Sequence, residues 1–209
     1  MLKFRTLKEA EKIVGGLSHP SKMPCYGLSL PAKACKVGKQ MRHVKGSVCG
    51  VCYALKGCYV FRQAREALDR RLSKLWHPRW VDAMVQITEN KPYFRWHDSG
   101  DLQSVSHLKR IARVAENTPD CLHWLPTREY FMVKEYLKNN KKPKNLIIRL
   151  SAMMIDGKAP EDMAKKLKVQ VSGVSKEAFS CPASKQGNEC KDCRACWDPN
   201  VFNVSYKRH

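Results

Sequence analysis

No stretch of this chain approaches the roughly 20 consecutive apolar residues that crossing a bilayer requires. Nothing near the first Met has the apolar core of a secretory signal. No membrane partner is therefore expected, and a soluble cytoplasmic protein is. Carboxylates are also scarce: 19 Asp and Glu stand against 39 Lys and Arg, a formal net charge of +20. Such an excess draws a protein to polyanions, and nucleic acid is the commonest of these in a cytoplasm. A merely solvated surface is the plainer alternative, but the bases are spread through DRRLSK, KNNKKPK and the closing YKRH rather than confined to one tail. A reducing compartment makes disulfides a poor explanation for ten cysteines and favours metal or cluster ligation. The rest is ordinary: 209 residues with 43% apolar content support one hydrophobic core and one domain.

The cysteines are grouped. Cys181, Cys190, Cys193 and Cys196 fall in CPASKQGNECKDCRACWD, a C-x8-C-x2-C-x2-C run on a short, loop-like segment. Two successive C-x2-C pairs wrap either one tetrahedral ion or the corners of an iron–sulfur cube. Pro182 directly after Cys181, with the tight triplet, favours a [4Fe-4S] cluster; zinc is the rival, because thiolate spacing alone does not separate the two. A second set lies in GSVCGVCYALKGCY, where Cys49 and Cys52 form a C-x2-C pair and Cys35 or Cys58 offers a third thiolate. Three thiolates on a cube leave one iron open, the arrangement needed to chelate S-adenosylmethionine and cleave it reductively. The spacing departs from the compact C-x3-C-x2-C of enzymes that do so. The same thiolates would also serve a site shared with the tail, or zinc. Cys25 and Cys121 read as small buried side chains.

Along the chain, TLKEAEKIVGG (6–16) predicts a short helix with Thr6 as N-cap and Gly15-Gly16 as its stop. Residues 17–58 read as irregular, organised by their cysteines rather than by hydrogen-bond ladders. Phe61, Ala64, Leu68, Leu72 and Leu75 fall at helical spacing, and a second helix is expected over 79–89. An alternation follows: strands at 93–97, 121–125, 145–152 and 168–174, with helices at 104–117, 129–140 and 159–167 between them. Strands and helices alternating in this way imply parallel βαβ units with right-handed crossovers. There are too few for a closed eight-stranded barrel. The expected fold is therefore α/β, a partial (open) parallel βα barrel. It would carry a metal-bound cysteine-rich segment at 17–58, helices and βα units at 59–175, and a four-cysteine tail at 176–209.

In such a sheet function gathers at the carboxyl ends of the strands. Those ends carry His97, Asp98, Ser99 and Asp101, then Thr127, Arg128 and Glu129, then Arg149 and Ser151. Converging on one mouth, they would bind a charged substrate or move protons. Taken singly, each is as well explained by helix capping in ordinary βα turns.

The segments LSLPAKAC, VCGVCYALKGCY, WHDSGDLQS, WLPTREY and CPASKQGNECKDCRACW together resemble the phage-encoded "gene product eighty-eight" family, from about residue 26 to the end. The resemblance picks out Cys35, Cys49, Cys52, His97, Ser99, Gly100, Asp101, Thr127, Arg128 and the four tail cysteines, and leaves Cys58 out. It implies work in the host cytoplasm during infection and assigns no reaction; its layout is similar to that of radical S-adenosylmethionine proteins. The leading expectation is an iron–sulfur protein acting on or beside nucleic acid. One or two [4Fe-4S] clusters would sit on the seven cysteines, S-adenosylmethionine would be the further cofactor, Ser99, Gly100 and Thr127 would lie at the cofactor, and His97, Asp101, Arg128 and Arg149 would line the mouth. A zinc-stabilised, non-enzymatic nucleic-acid binder is the second reading, and a host-protein interaction factor with a structural cluster the third.

Overall fold

The computed structural model describes residues 3–208; His209, which ends the basic YKRH run, lies outside them. The chain opens with helix α1 (Leu7–Val14), whose N-cap Thr6 accepts a hydrogen bond from the Glu9 amide. Gly15, at φ 83°, ends the helix; a Cβ there would meet the Arg70 carbonyl oxygen at 2.9 Å. Then come a two-residue strand β1 (Gly27–Leu28) and the helices α2 (Lys36–Met41), α3 (Arg62–Lys74) and α4 (Trp80–Thr88). From there strands and helices alternate: β2 (Tyr93–Trp96), α5 (Val105–Glu116), β3 (Leu122–Thr127), α6 (Tyr130–Asn139), β4 (Leu146–Ser151), α7 (Glu161–Leu167) and β5 (Gln170–Ser175). The chain returns at the end as β6 (Asn203–Lys207).

The six strands form one open sheet, all parallel, each hydrogen-bonded to its neighbour in sequence. The two faces follow from strand alternation. On one, Phe94, Trp96, Leu125, Leu146, Ile148, Leu150 and Val171 join the buried faces of α1, α4, α5, α6 and α7 in the main core. On the other, Trp124 packs against Trp197, with ring centroids 5.2 Å apart, and Tyr93, Leu122 and Tyr206 complete a small aromatic layer. The connection between β5 and β6 supplies Trp197, so the cysteine tail covers this second face. Trp197 is 1% exposed and donates its indole N–H to the Phe94 carbonyl at 3.0 Å.

The expected α/β architecture with parallel strands is present as an open sheet, with six strands where the alternation gives four. β1 is too short for any periodicity, and β6 lies beyond the cysteine tail. Helix α2 sits inside the stretch read as irregular. Its amides at Lys36 and Val37 are capped by Glu129 Oε1, at 3.1 and 2.9 Å, from 93 and 92 residues away. Among the described residues, no helix is long and apolar enough to cross a membrane.

Candidate functional site at the carboxyl ends of the strands

Asp101 is the centre of the strand-end cluster. Its Oδ1 accepts from the Thr127 hydroxyl at 2.5 Å and the Leu102 amide at 2.7 Å, and its Oδ2 accepts from the Arg128 amide at 2.9 Å. Burial pushes its pKa up to about 6 against the pull of those three donors. Thr127 also accepts from the Glu129 amide at 3.0 Å, and Arg128 Nε donates to the Ala152 carbonyl at 3.0 Å. The ends of β2, β3 and β4 are thereby tied into one rim.

The segment after β1 lies across that rim. Tyr53 donates to the Asp98 carbonyl, and Tyr59 to the Asp98 carboxylate, which also pairs with Arg95 at 2.7 Å. Glu129 holds α2; the Val48 amide donates to the Met153 carbonyl at 2.9 Å, and Ile155 to Gly46 at 3.0 Å. Three of its cysteines, Cys35, Cys49 and Cys52, are half-buried beneath this cover. A Cβ placed on Gly38 would sit 3.6 Å from both the Cys35 and the Cys49 sulfur, so those two sulfurs are no farther apart than twice that distance. Burial pushes Cys35 up to about 12, and the charges of Asp101, Cys52 and Cys49 add to the effect while Arg42 opposes it. Burial also raises Cys49, and Arg128 is the main opposing charge. Cys58 is exposed, apart from this group.

The tail cysteines gather on the aromatic face. Cys190 and Cys193 are joined by a turn hydrogen bond of 2.9 Å, Cys190 is tied to the Lys22 carbonyl at 3.0 Å, and Cys181 to Ser205 at 2.8 Å. Cys196 lies 3.3 Å from the Tyr206 hydroxyl and is pushed up to about 11 by burial. Burial raises Cys190 too, and neighbouring Cys181 and Cys193 raise it further. Cys25, expected to be an ordinary core thiol, is buried beside this group, where burial raises it to about 12 with Arg95 opposing and Cys190 adding. Cys121 is buried as expected.

Several expected site residues stand elsewhere. Arg149 is fully buried under the tail and donates to five carbonyls, those of Cys196, Val171, Phe202, Ala195 and Asp198, at 2.7 to 3.3 Å. It fastens the tail rather than lining a mouth. His97, at φ 59° and 3% exposed, packs its ring 5.2 Å from His107 of α5, and neither ring nitrogen has a hydrogen-bond partner among the described residues. Ser99 donates to the Leu30 carbonyl at 2.8 Å, and a Cβ on Gly100 would strike Leu30 Cβ at 2.5 Å. Both therefore register the loop after β2 against the loop after β1. Sequence reasoning placed Glu129 at a strand end without its partners, the amides of α2, and it missed Arg42, Tyr53 and Tyr59, which carry no signal in the sequence.

All ten cysteines are free thiols. Among the described residues, no group of three or more His, Cys, Asp or Glu side chains is drawn together tightly enough to hold a metal ion. A single tetrahedral zinc with Zn–S of about 2.3 Å needs sulfurs about 4 Å apart, whereas a cube spreads its thiolates over separate irons. An all-sulfur donor set suits iron–sulfur chemistry, and the close approach of Cys35 Cβ to Gly38, 2.9 Å from where a Cβ would stand, leaves room there for no side chain. The donor chemistry is that of a thiolate-held group, which the described residues do not draw together.

No curated protein and no solved structure matches the chain. The sequence model of the family described as Gene product 88 matches residues 2–199, and the chain belongs to that phage family.

Proposed function

We propose that this protein is an iron–sulfur enzyme with a radical-S-adenosylmethionine-like layout that acts on nucleic acid in the infected cell. The observation that carries the reading is the gathering of Cys35, Cys49 and Cys52 in the segment directly after β1, against the Asp101–Thr127–Arg128 rim. Six strands in sequence order suit an open barrel whose functional end is that rim. When bound, a three-thiolate [4Fe-4S] cluster would offer an open iron to the amino and carboxylate groups of S-adenosylmethionine and the electron for its reductive cleavage. The protein's own contributions are simpler. Arg42 and Arg128 oppose the rise in thiol pKa, favouring the thiolates that ligation needs. Asp101, with its pKa raised to about 6, exchanges a proton near neutrality. Glu129 and the Tyr53 hydroxyl fasten the cysteine segment to the strand ends. The tail cysteines would hold a second cluster, fastened by Arg149.

Anaerobically purified protein is expected to be brown, with about eight irons and eight acid-labile sulfides per chain. Replacing Cys35, Cys49 and Cys52 together by Ala should halve both. Gly38→Ala should lower them selectively at the same site, because its methyl group would come within 2.9 Å of Cys35 Cβ and displace that side chain. Colourless protein holding stoichiometric zinc and no iron would overturn the reading and leave the thiols structural.

A further inference from the structure

Residues 12–65 contain ten Lys and Arg and not one Asp or Glu; all 19 carboxylates lie outside this stretch. It includes the segment that lies across the strand ends, so the cover over the thiols presents charge of one sign. Lys33, Lys36, Lys39, Lys45 and Lys56 are exposed on it, together with two aromatic rings, Tyr53 and Phe61, the latter 66% exposed. The rings belong to neighbouring turns, Tyr53–Leu55 and Gly57–Val60, the second of which leads directly into Phe61. The Tyr53 and Tyr59 rings meet edge to face at 5.6 Å, and Tyr53 is further fixed by its bond to the Asp98 carbonyl. Phe61 closes its turn by donating its amide N–H to the Cys58 carbonyl at 3.3 Å and precedes α3.

We infer that a single-stranded nucleic acid lies across the outer face of this segment, with its phosphates on the lysines and a base stacked on Phe61. Phosphate binding is favoured where cations outnumber carboxylates: the stretch has no carboxylate of its own over 54 residues, and Arg62 near its end pairs with Glu66 at 2.7 Å while the five lysines stay exposed. Stacking needs a base whose faces are free, which a duplex does not offer and a single strand does. An exposed phenylalanine amid lysines has no role for duplex phosphates alone. Naming this strand as the substrate of the thiol site rests on the iron–sulfur reading. The binding itself does not, because these lysines and rings belong to the protein surface.

The test is fluorescence anisotropy with labelled mixed-sequence single-stranded DNA, single-stranded RNA and duplex DNA, over a series of salt concentrations, with iron content measured on each preparation. The full-length protein should prefer either single strand to duplex. Lys33, Lys36, Lys39, Lys45 and Lys56 all changed to Gln should weaken binding and reduce the log–log salt slope by roughly 0.7 for each phosphate that is no longer neutralised. A control with Lys109, Lys134, Lys141, Lys144 and Lys166 changed to Gln removes the same charge from exposed positions elsewhere and should cost markedly less. Phe61→Ala should weaken binding by roughly 5- to 150-fold with little change in that slope. Equal weakening in the two lysine variants would reduce the effect to diffuse charge and overturn the inference. So would tighter binding to duplex, indifference to Phe61→Ala, or no binding to any oligonucleotide. Loss of binding with iron retained sinks this inference alone; absence of iron with binding retained sinks only the enzyme reading.

Discussion

Lowering the pH from 7.5 to 5 is expected to remove about 4–5 kcal/mol of folding stability, a large part of the roughly 5–15 kcal/mol a domain possesses. Three buried imidazoles are responsible. Burial lowers His107 and His123 to about 3; burial, with His107 and Arg95 adding, holds His97 well below 6.5. In the unfolded chain all three take up protons near pH 6.5, so below that pH the unfolded state binds more protons and the fold loses stability as pH falls. Asp101 acts in the opposite sense. With its folded pKa raised to about 6, the fold gains on acidification from pH 6 towards 4 and offsets one of the three histidines. The net slope between pH 6 and 5 is close to two protons, about 2.7 kcal/mol per pH unit. Denaturant unfolding across that range measures it directly. His123 is stacked on Trp96 at 5.9 Å, with its Nε2 2.8 Å from the Thr118 hydroxyl, so His123→Phe keeps the stack while deleting one proton. That variant should lose about 2 kcal/mol less at pH 5 than the parent protein. A stability profile flat from pH 7.5 to 5 would mean that these rings reach solvent.

Arg149→Met is the second large effect, with an expected cost of about 3–5 kcal/mol and a fall in Tm of about 10 °C. The methionine fills the volume of the stem but leaves buried carbonyls of the tail, β5 and the approach to β6 without their donor. Arg149→Lys should recover little, because one ammonium cannot reach five carbonyl acceptors arranged around a planar fork. Limited proteolysis should then cut first within the tail, between Cys181 and Asp198, before the sheet is attacked. If Arg149→Met instead abolished turnover at unchanged Tm and unchanged tail protection, the residue would belong to the chemistry and not to the fold.

That residue illustrates what the sequence made legible. An arginine inside NLIIRLSA marks a strand carrying an unusual buried cation, but its partners are carbonyls of Ala195, Cys196, Asp198 and Phe202, and backbone oxygens leave no trace in side-chain patterns. The four central strands and their helices were readable because each has a face to bury and a period to show it. β1 and β6 were not, because two residues have no period and the other strand follows a long cysteine loop. The Cys49–Cys52 pair was readable from spacing, which left Cys35 and Cys58 open as a third until the family resemblance favoured Cys35, and the polarity at the strand ends was readable too. Which of those polar residues meet was not: Asp101 gathers Thr127 and Arg128, while His97 turns to His107 and Ser99 to Leu30, choices made by tertiary contacts.

The cover over the strand ends also sets an order of assembly during synthesis. Each strand pairs with the one before it, so each pairing becomes possible as soon as the later strand of the pair has emerged. The Cys35–Cys52 segment, made early, finds its last anchors only at Met153 and Ile155, and Cys190 reaches back to Lys22 later still. On a ribosome the thiols nearest the start of the chain therefore stay accessible until three quarters of the protein has been made. If the thiols hold a cluster as proposed, the order in which the protein folds sets the window for loading it, before the cover is fastened.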